Sequence, residues 1–238
     1  MGEMMARLVL FAVFALFLIV PGAGAQDFDP PKQIVSKKDF PLRDLNFIRT
    51  KGDKTYLISK DGRYVFQGEL FDVWNGERID SLQEFARLSD RMDMQHLGIE
   101  PSRMFTLDIG SGAKPAYIFV DPNCSHCHTL IRDLVDSDGM GGKYQIKVVP
   151  IAVLSENSFK KAKKLSVAAE KDPQKALDIL FQDSYDQVEA GEGKFPALKY
   201  NVLVATALSI KNVPYLVNST GVVHVGVPRD MRSFMERE

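Results

Sequence analysis

The chain has 238 residues, of which two are cysteines and four histidines, and its 30 Lys and Arg nearly balance 31 Asp and Glu. That length allows two modest domains, and a formal charge of −1 leaves no basic field to attract nucleic acid or anionic lipid. Two cysteines are too few for a disulfide framework.

Residues 1–25 have the make-up of a cleaved secretory signal peptide. Arg7 supplies a positive n-region, Leu8 to Val20 is an unbroken apolar run, and Ala23-Gly24-Ala25 is a small-residue cleavage site. The run of about 13 residues is shorter than the roughly 20 that a membrane-crossing helix needs. The expected mature chain starts near Gln26 and is exported to the periplasm or beyond, with no stable membrane insertion. Residues 26–42, rich in Pro, Lys and Asp, read as a leader.

From Asn46 to Trp74 the pattern is β-like. Thr55-Tyr56-Leu57-Ile58 and Arg63 to Gly68 flank Lys60-Asp61-Gly62, a hairpin signal because Asp-Gly supplies the positive φ of a tight turn. Leu70 to Trp74 continues as a strand, and Asn75-Gly76 closes it. This sheet unit of about 30 residues is too small to be stable alone.

Over Ile79 to His96 the period changes. Ser81 and Glu84 form a capping-box signature, and Leu82, Phe85, Leu88 and Met92 recur at helical spacing before Gly98. The apolar stripe is thin, as suits a helix linking two bodies.

The pattern from Pro101 onward is α/β. Ala116 to Val120 reads as a buried strand, Thr129 to Val135 as a helix and Tyr144 to Leu154 as a second strand. Ser158 to Ala169, Pro173 to Val188 and Ala197 to Ile210 are helical in period, with Gly191-Glu192-Gly193 between the last two. Lys160-Lys161 and Lys163-Lys164 read as a solvated helix face, and His224 as an ordinary side chain. Tyr215-Leu216-Val217 and Val222 to Val225 make a final hairpin around Asn218 to Gly221. A parallel start is followed by an antiparallel finish.

The chemistry is concentrated at Cys124-Ser125-His126-Cys127. A strand running into Asp121-Pro122-Asn123-Cys124 and then a helix puts Cys124 at the helix N-cap, facing unpaired N–H groups and the positive end of the helix dipole. An ordinary thiol of pKa ~8.5 becomes largely thiolate in such a place, and a protonated His126 favours the thiolate further. Cys127, one turn on and more deeply placed, then attacks the mixed disulfide formed at Cys124. Val213-Pro214, a proline just before a strand, needs a special reason there. A cis bond packed against the cysteine pair leaves the Val213 backbone free to pair with an incoming peptide.

Three other readings compete. A purely structural disulfide closes so short a loop that it stabilises by only about 2 kcal/mol. Zinc needs four ligands, and Cys124, His126, Cys127 and His128 cannot all converge from five consecutive residues. No metal site is therefore expected. Cys124-Ser125-His126-Cys127-His128 also satisfies the attachment pattern of c-type haem, although a cytochrome is helical around that motif and here an apolar strand precedes it. The redox reading needs no cofactor.

Phe119 to His128, Asn212 to Asn218, and Tyr56 to Val73 together resemble the DsbC/DsbG-type periplasmic thiol:disulfide interchange proteins of the thioredoxin superfamily. The resemblance implies an α+β, cystatin-like dimerisation domain at 26–78, a linker helix at 79–98, and an α/β thioredoxin-like catalytic domain with a helical insertion at 99–238. It also implies a V-shaped homodimer with an uncharged cleft that holds misfolded or reduced exported proteins, and a DsbD-type membrane reductase as electron donor. The activity implied is disulfide isomerisation, with DsbG-like holdase chaperone activity and DsbA-like thiol oxidation as alternatives. Ser125-His126 between the cysteines is shared with strongly oxidising relatives such as DsbA, and Val213 stands where the isomerases typically carry Thr. No second cysteine pair is present. The first two positions tune reduction potential, where 30 mV corresponds to about 1.4 kcal/mol.

Overall fold

The structure, a computed structural model, describes residues 45–50, 54–137, 142–189 and 191–238. The expected signal peptide and leader lie outside these residues. The chain divides into two compact units, the first ending at Leu97 and the second running from Gly98 to Glu238. Among the described residues no helix is long and apolar enough to cross a membrane.

In the first unit β1 (Leu45–Arg49), β2 (Thr55–Ser59) and β3 (Val65–Gln67) form an antiparallel sheet in that order. The expected hairpin is present, with Leu57 opposite Phe66 and Gly62 in the left-handed region at φ 71°. Ser59 fixes the turn from within, its Oγ bonding the Asp61 carboxylate at 2.5 Å and accepting from the Tyr64 N–H at 2.9 Å.

A second hairpin, β4 (Leu70–Asp72) with β5 (Glu77–Ile79), turns through Gly76 at φ 69°. The expected strand stops at Asp72 rather than Trp74. The Asp72 carboxylate accepts from the N–H groups of Trp74 and Asn75, at 2.9 and 3.3 Å, which diverts that backbone from a ladder. Ile79 belongs to β5 and not to a helix.

Helix α1 spans only Leu82–Leu88, shorter than the periodicity predicts. Its start is as expected in one arm: the Ser81 side chain accepts from the Glu84 N–H at 3.1 Å. Glu84, however, accepts from the N–H of Asp80 instead of Ser81. After Leu88, polar side chains compete with the helix. Ser89 Oγ donates to the Ala86 carbonyl, and the Asp93 carboxylate accepts from the N–H groups of Gln95 and His96.

The second unit is a mixed five-stranded sheet of order β10-β9-β7-β8-β6. Its strands are β6 (Leu107–Ile109), β7 (Lys114–Val120), β8 (Tyr144–Pro150), β9 (Tyr215–Val217) and β10 (Val223–Val225). Only β7 and β8 are parallel; Ile118 pairs with Val148 and Phe119 with Val149. Strand β9 runs antiparallel to β7, with Tyr215 opposite Phe119. The adjacent residues Ile118, Phe119 and Val120 are all buried, so this end of β7 is covered on both faces. That cover explains the unbroken apolar run.

The helices are α2 (Ser125–Asp136), α3 (Glu156–Lys171), α4 (Pro173–Gln182), α5 (Pro196–Ala207) and α6 (Met231–Met235). Helices α3, α4 and α5 fall between β8 and β9, in the stretch whose period reads as helical. Helix α4 stops at Gln182 because Asp183 turns left-handed at φ 54°. The lysine pairs of α3 are not simply solvated. Lys161 Nζ pairs with Asp183 at 2.6 Å over the Tyr185 ring, and Lys164 Nζ donates to the Tyr185 carbonyl at 3.0 Å. His224 is half-buried against Phe234.

Two elements of the second unit were not legible in the pattern. The β6 strand pairs antiparallel with β8 over three residues. The short α6 is held through Asn218, whose amide donates to the carbonyls of Phe234 and Arg237.

Candidate active site

Strand β7 ends at Val120, and the next four residues make a tight turn in which the Cys124 N–H donates to the Asp121 carbonyl at 2.9 Å. Cys124 is the N-cap of α2 with extended backbone, φ −94° and ψ 107°. Its Sγ takes the place usually held by a capping oxygen and accepts from the Cys127 N–H at 3.1 Å. The two cysteines form a disulfide with Cα atoms 5.2 Å apart. Cys124 retains 6% exposure and Cys127 none, so the first sulfur is the one that an incoming group reaches.

Ser125 and His126 are exposed in the first turn of α2. His126 therefore stands in the exposed first turn, between the two cysteines in sequence. Val213 is brought alongside as expected: its carbonyl oxygen lies 3.7 Å from Cys124 Sγ, and the Val213–Pro214 bond is cis. The Gly226 N–H donates to the Pro214 carbonyl at 2.8 Å, tying this segment to the end of β10.

Other groups around the pair carry no strong sequence signal. Asp121 is fully buried, and all its hydrogen bonds are accepted. Oδ1 takes the Asn123 N–H at 2.9 Å and the Ser158 hydroxyl at 2.7 Å; Oδ2 takes the N–H groups of Val153 and Leu154 at 2.8 and 2.9 Å. Such a set suits a carboxylate, which has only acceptors to offer. Asp121 was visible in the sequence as the residue after an apolar strand, but its partners lie across the chain.

The carbonyl of Pro122 receives two side chains, His128 Nε2 at 3.0 Å and the Tyr185 hydroxyl at 3.4 Å. Burial, then the negative charges of Asp183 and Asp121, push the Tyr185 phenol well above its ordinary range, so it stays a donor. The imidazole that a c-type haem would use is thus turned onto backbone, and the two sulfurs are bonded to each other. This geometry does not fit a haem.

Beside the turn lies an open groove of about 510 Å³ whose lining includes Ala152, Ser155, Phe159, Lys199, Val202 and Leu203. Ser155 Oγ accepts from Asn123 Nδ2 at 3.0 Å, which joins the groove to the residue preceding Cys124.

The chain is 22% identical to the thiol:disulfide interchange protein DsbC of Escherichia coli over 240 residues, covering 95% of this chain and 94% of that protein. It is also 30% identical to the thiol:disulfide interchange protein DsbG of Pseudomonas aeruginosa over 151 residues, 60% of this chain and 52% of that one. The chain is thus similar to DsbC and DsbG thiol:disulfide interchange proteins. Among solved structures, Helicobacter pylori DsbG aligns over 72% of this chain and 85% of its own, at 19% identity and a TM-score of 0.40. Proteus mirabilis ScsC in a transitional conformation aligns over 64% and 82%, at 15% identity and a TM-score of 0.48. No family model matches the chain.

Proposed function

We propose that this chain is a periplasmic thiol:disulfide oxidoreductase that acts chiefly as a disulfide isomerase on exported proteins. The observation that carries this reading is the placement of Cys124 Sγ at the N-cap of α2, with Cys127 behind it and the Val213 carbonyl 3.7 Å away. The family relationship supports it.

In the reduced enzyme, the Cys124 thiolate attacks one sulfur of a wrong disulfide in a client. A Cys124–client bond forms, the client's S–S bond breaks, and the other client sulfur leaves as thiolate. That thiolate can attack elsewhere in the client, and the new client disulfide eventually releases Cys124 unchanged. If reshuffling stalls, Cys127 attacks Cys124 Sγ and frees the client, leaving the enzyme oxidised. A donor of two electrons, expected to be a DsbD-type membrane reductase, then restores the thiols.

Val213 and Pro214 would hold the client backbone beside Cys124, as an added strand uses a free carbonyl. The groove beyond Asn123 gives apolar client segments a place to lie. Ser125 and His126 tune the sulfur. Dimerisation through the first unit would pair two such sites; Val65, exposed on the edge strand β3 of the described residues, suits such an interface.

The test is recovery of activity by a scrambled multi-disulfide protein in a glutathione buffer. Wild-type protein should speed it and Cys124→Ala should not. Exposed His126 favours a second reading, thiol oxidation. If oxidised enzyme converts reduced client to disulfides stoichiometrically while leaving scrambled client unrepaired, oxidation is the activity. If Cys124→Ala suppresses client aggregation as well as wild type does, the holdase role stands apart from the thiols.

A further inference from the structure

Ser158 opens the second half of α3's first turn, far from the cysteines in sequence, and is fully buried. A hydroxyl has one proton to give and two lone pairs to offer, and here each has a place. Ser158 Oγ donates to Asp121 Oδ1 at 2.7 Å and accepts from Asn123 Nδ2 at 2.9 Å and from the Ser155 N–H at 3.2 Å. Both of its distant partners, Asp121 and Asn123, belong to the turn that delivers Cys124.

The turn has little else to fix it on that side. Asn123 is half-buried; its N–H goes to Asp121, and its amide donates only to the two serines of the α3 start. The oxygens of Asp121 in turn hold Val153 and Leu154, which lead into α3. The nucleophile's turn and the first turn of α3 are therefore one closed network, in which Ser158, among the described residues, bonds Asp121, Asn123 and Ser155 together.

We propose that Ser158 is a positioning residue for Cys124, acting through Asn123 and Asp121. It does not touch the reacting sulfur. By locking the Asn123 side chain it holds the N-cap geometry in which Cys124 Sγ receives the Cys127 N–H and presents itself to an incoming disulfide. Misplacement of a reacting atom by a fraction of an ångström is costly to rate without altering which groups react. This proposal rests on Cys124 being the attacking sulfur.

The test uses the reduced full chain and oxidised glutathione. Cys124 attacks, forming a Cys124–glutathione disulfide and releasing one glutathione thiolate; Cys127 then attacks Cys124 Sγ, forming the enzyme disulfide and releasing the second. Two enzyme thiols are oxidised as one glutathione disulfide is reduced. The rate constant of the first step is followed against pH by rapid quench and mass spectrometry.

Ser158→Ala and Asn123→Ala should each lower the plateau of this profile about tenfold, and the double variant should be no slower than either alone. Asn201→Ala, which cuts the buried bonds from α5 to the carbonyls of Phe105 and Pro150, serves as a destabilised comparison with an unchanged plateau. Unchanged plateaus in the Asn123 and Ser158 variants, equal slowing in Asn201→Ala, or additive slowing in the double variant would each overturn the proposal. Should Ser158→Ala fail to fold, the Asn123→Ala plateau decides alone. Failure of the functional reading is seen separately: Cys124→Ser would then react at the wild-type rate.

Discussion

Cys124 Sγ and the Val213 carbonyl oxygen, separated by most of the second unit's sequence, lie 3.7 Å apart. The contact joins the two ends of the unit's chemistry: a sulfur delivered by the parallel strand β7, and a backbone acceptor delivered at the start of its antiparallel neighbour β9. A client sulfur bonded to Cys124 would lie next to that acceptor, so its own backbone N–H has a partner waiting.

The division of labour between the sulfurs follows from their exposure and order. Cys127→Ala leaves Cys124 able to attack but removes the group that releases the client. This variant should accumulate a mixed disulfide approaching one client per chain, seen on non-reducing gels and by intact mass. Cys124→Ala should give none above background, because Cys127 is fully buried. Client captured equally by Cys127 in the Cys124→Ala variant would reverse the assignment.

The ionisation of reduced Cys124 can be followed by thiolate absorbance. Its Sγ sits at the N-cap of a 12-residue helix and receives the Cys127 N–H. A thiolate gains from both, since a hydrogen bond to the charged form and the positive end of the dipole favour ionisation. The absorbance step should come well below the ordinary value of ~8.5, and the rate of alkylation should rise over the same pH range and level off before pH 8.5. Absorbance and alkylation that both rise only above pH 8.5 would contradict the N-cap mechanism.

Asp121 ties the end of β7 to the segment entering α3. Asp121→Ala removes four accepted hydrogen bonds and leaves the Val153 and Leu154 N–H groups without that acceptor. Only the Ser158 hydroxyl is then a fully buried donor without a partner, at about 1–3 kcal/mol, since Val153 is half-buried and Leu154 exposed, so the variant should lose about 2–4 kcal/mol of stability. Urea unfolding should show a lower midpoint with an unchanged slope. A loss below about 1 kcal/mol would mean that water or neighbouring groups replace the carboxylate.

These examples also explain what the sequence could and could not convey. Cys124 at a helix N-cap, the Asp61-Gly62 hairpin and the Asn218–Gly221 turn are local: each depends on residues within a few positions of one another, so the residue types announce them. Val213–Pro214 was legible because proline before a strand demands an explanation. Strands β5 and β6 have three residues each and carry charged side chains, Glu77 and Arg78 in one and Asp108 in the other, so neither shows the apolar run by which the equally short β9 was read. Helix α1 read too long because its apolar spacing persists through Met92, while Ser89 and Asp93 spend their side chains on backbone and end it. Asp121 and Ser158 were the least legible. An aspartate after a strand and a serine in a helix are ordinary residues until the fold brings them to 2.7 Å.

The buried tyrosines give the fold an alkaline limit. Burial raises the Tyr215 phenol from its ordinary 10.0 to about 12, and Tyr185 is raised further by burial and by the charges of Asp183 and Asp121. A raised value in the folded state means that the folded protein keeps a proton that the unfolded chain has lost. Below about pH 10 both states are protonated and the contribution is fully present. Above it the unfolded chain ionises first, so stability falls with rising pH until the folded phenol titrates. Each such tyrosine should cost about 1.4 kcal/mol per pH unit over that window, amounting to about 3 kcal/mol for Tyr215 by pH 12. Urea unfolding at pH 9 and pH 11 measures the loss. Tyr185→Phe gives up the 3.4 Å bond to the Pro122 carbonyl and should be slightly less stable at pH 9. Between pH 9 and 11 it should lose less than wild type does, by about 1 kcal/mol. Parallel losses in the two proteins would show that the Tyr185 phenol titrates alike folded and unfolded.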